Sequence, residues 1–167
     1  MSDAPIEASP QRMLLTAKSE YLDGFNRLLG LVRRELRIFD PDLSGLGMNL
    51  PQRIEALARF LRENRAHCIY IAIHDTEHVT KHCPRLLTLL GSYSAGMFIH
   101  QTLGDAAKVQ DCFVLADNDH LVRRPVRAQA RGVLVLNDPD ECQPMHQRFG
   151  EIWEASVPGV SANTTGL

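Results

Sequence analysis

The sequence predicts an α/β domain whose mostly parallel or mixed sheet is flanked by helices. Three observations carry this expectation. Apolar stripes at helical spacing alternate with short, continuously apolar, β-branched runs, strands separated by helices require crossover connections, and one late segment interrupts the alternation with a hairpin.

Taken in order, Phe25, Leu28, Leu29, Val32 and Leu36 fall at i, i+3, i+4, i+7 and i+11, which puts one apolar stripe on a first helix. A short strand is expected around "LRIFD", and its Pro, Asp and Gly content makes "PDLSGLGMN" a loop. Asn49 is placed to cap the next helix, with Pro51 near its first turn and Ile54, Leu57, Ala58 and Leu61 facing inward. The run from Cys68 to Ile73, "CIYIAI", is apolar throughout, as in a strand covered on both faces. Pro84 opens a helix with Leu86, Leu87, Leu89 and Leu90 inside, and Gly96 releases "MFIHQ" as a further strand. "DCFVLADNDHLVRRP" reads as a hairpin turning at Asp117-Asn118-Asp119, because Asn and Asp tolerate left-handed backbone. "GVLVL" is another buried strand, and a last helix carries Met145, Phe149, Ile152 and Trp153 on one side.

A chain of 167 residues is most simply one domain. We place it at 16–157, between tails 1–15 and 158–167 whose small, polar and turn-forming residues predict loose attachment. Apolar residues make up 44% and charged residues 23%, an ordinary balance for a globular protein. The net charge of −2 gives no general attraction for nucleic acid or an anionic membrane. The first fifteen residues lack the apolar core of a signal peptide, and no later run is long enough to span a bilayer. Cysteines at 68, 83, 112 and 142, without a C-x-x-C pair, fit reduced and buried thiols and hence a cytoplasmic setting.

The stretch "HDTEHVTKHC" follows directly from "CIYIAI", at a strand's carboxyl end, where open α/β sheets hold their ligands. Were it helical, His74, His78 and His82 would share a face and suit zinc with an open position. However, His74 leaves a strand, Thr76, Val79 and Thr80 are poor helix formers, and Pro84 disfavours helical backbone at Cys83. The expected geometry is strand, loop, helix start, which scatters the rings and leaves a polar rim without a metal. Cys83 sits at a helix start beside His82, but adjacent side chains point apart, so a packed thiol is expected.

The strongest charge feature is "RRPVRAQAR", with Arg123, Arg124, Arg127 and Arg131 inside nine residues. Arginine's planar fork suits phosphate or carboxylate, and His82 and Arg85 join from the neighbouring helix start. The competing reading is a solvated basic loop pairing with Asp117, Asp119 and Asp138. Neither G-x-G-x-x-G nor G-x-x-x-x-G-K-[ST] occurs, so no cofactor is expected.

This order of elements, with its terminal F-x-x-x-W-x-x-S helix, resembles one half of the phospholipase D fold from about Leu36 to Ser156. In that superfamily each half supplies H-x-K-x-x-x-x-D on a strand entering a hairpin, then G-S-x-N, and two halves form a phosphodiesterase site. With Asp117 in the aspartate position, Gln110 takes the histidine position, Cys112 the lysine position, and Arg124-Pro125 the Gly-Ser pair. Only the aspartate survives. An amide cannot form the family's phosphohistidine, and a thiol cannot replace a fixed positive charge. The resemblance therefore implies the fold without the chemistry: a pseudoenzyme binding an anionic small molecule or a partner's acidic segment, through Asp75, His82, Arg85, Asp117, His120, Arg123 and Arg124. The alternative is phosphodiester or phosphoryl transfer through His82 or His120. A lone half also implies homodimerisation. A narrower similarity, carried by His82-Cys83-Pro84-Arg85-Leu86-Leu87 and "RRP", is to bacterial domains that sometimes follow an acetyltransferase, which makes such an enzyme a candidate partner.

Overall fold

The computed structural model describes residues 9–161. At its centre lies the strand β2 (Glu35–Asp40), whose side chains alternate between two covered faces. Leu36 and Ile38 join one apolar cluster, and Phe39 joins the other. Parallel partners follow on one side, β3 (Cys68–Ile73) and then β4 (Met97–Thr102). On the other side β2 pairs antiparallel with β5 (Cys112–Ala116), which continues into β6 (His120–Arg124) and β7 (Gly132–Leu136). Two further strands close the edges, β1 (Gln11–Leu15) on β7 and β8 (Ser156–Val160) on β4. The result is one mixed eight-stranded sheet in the order β1-β7-β6-β5-β2-β3-β4-β8. The expected α/β sheet flanked by helices is what the chain forms.

Four helices, α1 (Lys18–Leu31), α2 (Pro51–Glu63), α3 (Glu77–His82) and α4 (Pro84–Ser92), contribute to the larger core. There Phe25, Leu28, Leu57, Val79 and Leu86 pack on Leu36, Ile38, Ile69 and Ile71. The opposite face is covered by α5 (Pro139–Glu154), through Cys142, Met145, Phe149 and Ile152. Trp153, half-buried, stacks on His100 with ring centroids 3.7 Å apart.

Several local expectations are corrected. The first helical stripe ends at Leu31, and Leu36 belongs to β2. Leu50, not Asn49, is the N-cap of α2; the Asn49 side chain instead accepts the Arg85 N–H at 2.9 Å and so caps α4. Residues 77–82 are helical despite their poor propensity, because Val79 is fully buried and tertiary burial outweighs a few tenths of a kcal/mol per residue. Strands occupy 11–15 and 156–160, stretches read as tail or as helix end. The outer parts of both tails, 1–8 and 162–167, lie outside the described residues.

Candidate functional site

The carboxyl ends of β2 and β3 converge with the start of β5 and the end of β6. Asp40 aligns with Ile73 across one pair, and Cys112 with Arg124 across another. Successive strand residues face opposite ways, so this sheet end carries two polar clusters, one on each face.

On the α5 face, Asp111 is 2% exposed and holds two guanidinium groups. Arg123 Nε donates to Oδ2 at 3.3 Å and Arg148 Nη2 to Oδ1 at 2.6 Å. The His74 ring is pinned nearby: Nε2 donates to the Val109 carbonyl at 2.8 Å, and Nδ1 pairs with Thr102 Oγ1 at 2.6 Å. With both nitrogens engaged, this ring serves to hold β3, β4 and the Val109 segment together.

The α1 face is different. Arg124 is 8% exposed and lies over the Tyr21 ring, its guanidinium carbon 4.7 Å from the centroid. No carboxylate among the described residues pairs with it, and its buried Nε has no hydrogen-bond partner. Nor does the buried Tyr21 hydroxyl have a partner of good geometry. Burial, with the neighbouring Cys112 and Asp40, pushes that phenol well above its ordinary value, so it stays a neutral donor. These groups border a cavity of about 230 Å³ lined by Lys18, Tyr21, Leu22, Gly45, Arg124, Arg127 and Ala128. Three cationic side chains and a phenol thus surround a space the size of a small oxyanion and its substituent.

The rim is fixed by backbone. The Arg127 N–H donates to the Gln110 carbonyl at 3.0 Å, and Arg127 Nη2 reaches Asp42 Oδ1 at 3.2 Å and Ser44 Oγ at 3.1 Å. Asp40 is buried, with Oδ2 accepting the Leu43 N–H at 2.6 Å and the Asp42 N–H at 3.1 Å. That grip holds Leu43 in left-handed backbone (φ 70°), which costs a non-glycine residue roughly 1–2 kcal/mol. Burial raises the Asp40 carboxyl above its usual range, although the Leu43 and Asp42 N–H groups pull it the other way.

The seven residues expected to bind ligand are not brought together. Arg124 reaches the cavity, whereas Arg123 points to the other face and is occupied by Asp111. Asp75 is exposed and accepts the Glu77 N–H at 2.8 Å at the start of α3. His82 ends α3 with its ring 5.4 Å from that of His78, and Arg85 Nη1 donates to the Asn49 carbonyl. Asp117 and His120 stand at the opposite end of the sheet, where β5 turns into β6. There the Asp117 carboxylate accepts backbone N–H groups of Arg33, Arg34 and Glu35, and the His120 Nδ1 accepts the Asn137 N–H at 3.2 Å.

Pairing of the basic run with Asp117, Asp119 and Asp138 is not what forms; Arg123 and Arg127 pair with Asp111 and Asp42. Of the family's two chemical seats, Gln110 is exposed and donates to the Lys108 carbonyl, and Cys112 is fully buried. Burial pushes the Cys112 and Cys83 thiols up, so neither is poised as a thiolate. Among the described residues no three His, Cys, Asp or Glu side chains are grouped to hold a metal ion. Tyr21, Lys18 and Asp40 were not visible as site residues in the sequence. Strand alternation was the one signal that separates Arg123 from Arg124.

Residues 18–163 match the family model described as "Domain of unknown function (DUF7931)". The chain belongs to this family. A search of curated proteins finds no match. Among solved structures, the DUF7931 chain is similar to Nuc from Salmonella typhimurium, a phospholipase D family member (12% identity, 92% of this chain and 100% of that one, TM-score 0.59). It is similar also to NucT from Helicobacter pylori (14% identity, 90% and 100%, TM-score 0.62). TrmBL2, an archaeal chromatin protein whose structure shows a mode of DNA binding, aligns at 9% identity over 95% of this chain, with TM-score 0.66. The DUF7931 chain spans 56% of that protein's length. At these identities the likeness concerns the fold, which is phospholipase D-like. No described helix is long and apolar enough to cross a membrane.

Proposed function

We propose that this DUF7931 domain is a non-catalytic binding or regulatory module that holds an anionic ligand at the α1-side mouth of a phospholipase D-like fold. One observation carries the reading: Arg124 is buried without a carboxylate, beside the Tyr21 hydroxyl and the Cys112 thiol, on a cavity that Lys18 and Arg127 also line. A buried cation lacking a counter-charge is costly, and a bound oxyanion removes that cost. Phosphate or a phosphate ester fits the charge and the donor geometry. The alternative of phosphoryl transfer has less support, since the residues lining this cavity include no histidine and Gln110 and Cys112 cannot supply a phosphohistidine or a fixed cation.

The test is calorimetry and amide chemical-shift titration with inorganic phosphate, AMP and a short single-stranded oligonucleotide, the last because TrmBL2 binds DNA. Arg124→Gln is expected to weaken phosphate binding by about tenfold or more, one charge-assisted contact. Arg123→Gln should leave it unchanged. Equal loss in both variants, or no binding to the unmodified protein, overturns the reading. Hydrolysis of bis-p-nitrophenyl phosphate that survives purification and is lost in His82→Ala or His120→Ala would restore the enzymatic alternative.

Exposed Leu103 and Val126, at 50% and 41%, follow β4 and β6 at this same sheet end. As one half of a two-half fold, the domain could also homodimerise, or dock a partner such as an acetyltransferase, across the mouth. Sedimentation velocity of the domain, alone and with that enzyme, separates the two.

A further inference from the structure

A larger concavity than the one beside Arg124 lies between α1 and α2. It measures about 670 Å³, within the range of small-molecule sites, and its lining includes Leu29, Leu50, Ala56, Phe60, Arg59 and Arg53. Arg53 is unusual among these. It is 8% exposed, its Nε and Nη2 both donate to Asn26 Oδ1 at 3.2 and 2.9 Å, and its guanidinium carbon stands 4.9 Å from the Phe25 ring centroid. Both partners are neutral. The buried Nη1 has no hydrogen-bond partner at all, and no carboxylate among the described residues forms an ion pair with the group.

A structural tie between α1 and α2 is complete with the Asn26 bonds; it does not explain a full positive charge left uncompensated. Hydrocarbon of the same size would fill the space without the desolvation cost of a guanidinium. Burial also pulls this guanidinium below its ordinary pKa, the direction expected of a cation lacking a counter-ion.

We infer that the α1–α2 groove is a second ligand site, one that takes a monocarboxylate carried on an apolar body. The N–H edge left open by Asn26, Nη1 together with the second hydrogen of Nη2, presents the parallel pair of donors that two carboxylate oxygens accept. Arg59 and Glu63, one turn apart on the same groove, offset one another, so the site's surplus is the single charge of Arg53. A monoanion matches that surplus better than a phosphate dianion does. Leu29, Val32, Leu50, Ala56 and Phe60 supply apolar wall for the remainder of the molecule.

One loop residue packs beside the donor edge. Gly47 adopts φ +60°, and a Cβ built there would lie 3.0 Å from Leu50 Cδ1 and 3.5 Å from Arg53 Nη1. Leu50, itself 47% exposed, thus flanks the same glycine as the buried nitrogen and lines the groove with it.

The experiment uses the full chain with octanoate, octanol and inorganic phosphate as probes, by equilibrium dialysis and by chemical shifts of the Leu29, Leu50 and Ala56 methyl groups. Octanoate should bind saturably at one site and about tenfold or more tighter than octanol, the worth of one charge-assisted contact. Arg53→Gln should abolish that preference. Ala56→Phe fills the groove from the next turn of α2 while leaving the Arg53 charge present, and should weaken octanoate by a similar factor at unchanged thermal stability. If Arg53→Gln fails to fold, the octanoate-to-octanol ratio and Ala56→Phe decide the matter. Arg124→Gln should leave octanoate binding intact, which keeps this site distinct from the phosphate site proposed above. Equal affinity for octanoate and octanol, insensitivity to Ala56→Phe, or no saturable octanoate binding overturns the inference.

Discussion

Replacing Asp117 with Ala removes the acceptor of three backbone N–H groups. In the native protein Oδ1 and Oδ2 take the N–H groups of Arg33 at 2.9 Å, Arg34 at 2.7 Å and Glu35 at 3.2 Å. Arg33 and Arg34 are exposed, so water can replace the lost acceptor there, while Glu35 is half-buried and recovers less. On the scale of a single helix cap, that loss amounts to roughly 2 kcal/mol. A second contribution comes from the backbone, because Asp117 sits at φ 55°, where Ala is strained by about 1 kcal/mol. Asp117→Ala should therefore cost about 3 kcal/mol, and Asp117→Gly about 1 kcal/mol less than that, since Gly accepts the left-handed backbone freely. Urea unfolding monitored by Trp153 fluorescence measures both. Phosphate affinity should stay within a factor of two, because the carboxylate lies five residues along the strand from Cys112, roughly 16 Å from the cavity. A stability change under about 0.5 kcal/mol would refute the capping role, and a tenfold loss of phosphate binding in a folded variant would refute the separation of the two ends.

Two further outcomes are expected. Burial depresses the His100 and His146 pKa values below 6.5, so the stability they contribute is present above the unfolded value and lost as pH falls through the native ones. Unfolding free energy should then drop between pH 7.5 and 5.5, and the drop should shrink in His100→Gln/His146→Gln; an unchanged difference would contradict the linkage. Gly132→Ala places a methyl group 2.5 Å from the Arg123 carbonyl oxygen and 3.2 Å from Arg124 Cγ, both in the adjoining strand. Because the nearer obstacle is backbone, a loss of about 2–3 kcal/mol in urea unfolding is expected, with weakened phosphate binding as Arg124 shifts.

Much of the fold was legible because burial on both faces writes itself plainly into composition. "CIYIAI" and "GVLVL" could only be covered strands, and Asp117-Asn118-Asp119 marked its turn through the backbone freedom of those residues. The edge strands were hidden for the converse reason. Along β1 only Leu15 is buried, so "QRMLL" has no period to read, and its pairing partner lies far along the chain. The site was harder still. Arg123 and Arg124 adjoin in sequence and diverge in space, Asp111 was not singled out before its two arginines appeared, and Tyr21 reaches the cavity from a helix more than a hundred residues upstream of Arg124. Asn49 illustrates the limit well: its side chain does cap a helix, but one that begins at Pro84.

The strand order has a kinetic consequence. Gln11 pairs with Leu136, so β1, synthesised before the other described strands, waits for β7 before it finds its partner. Until then the nascent chain carries an unsatisfied β-segment, and the antiparallel half of the sheet cannot finish assembling. Closure over so long a separation slows folding, and it makes the partly synthesised chain the form most in need of a chaperone.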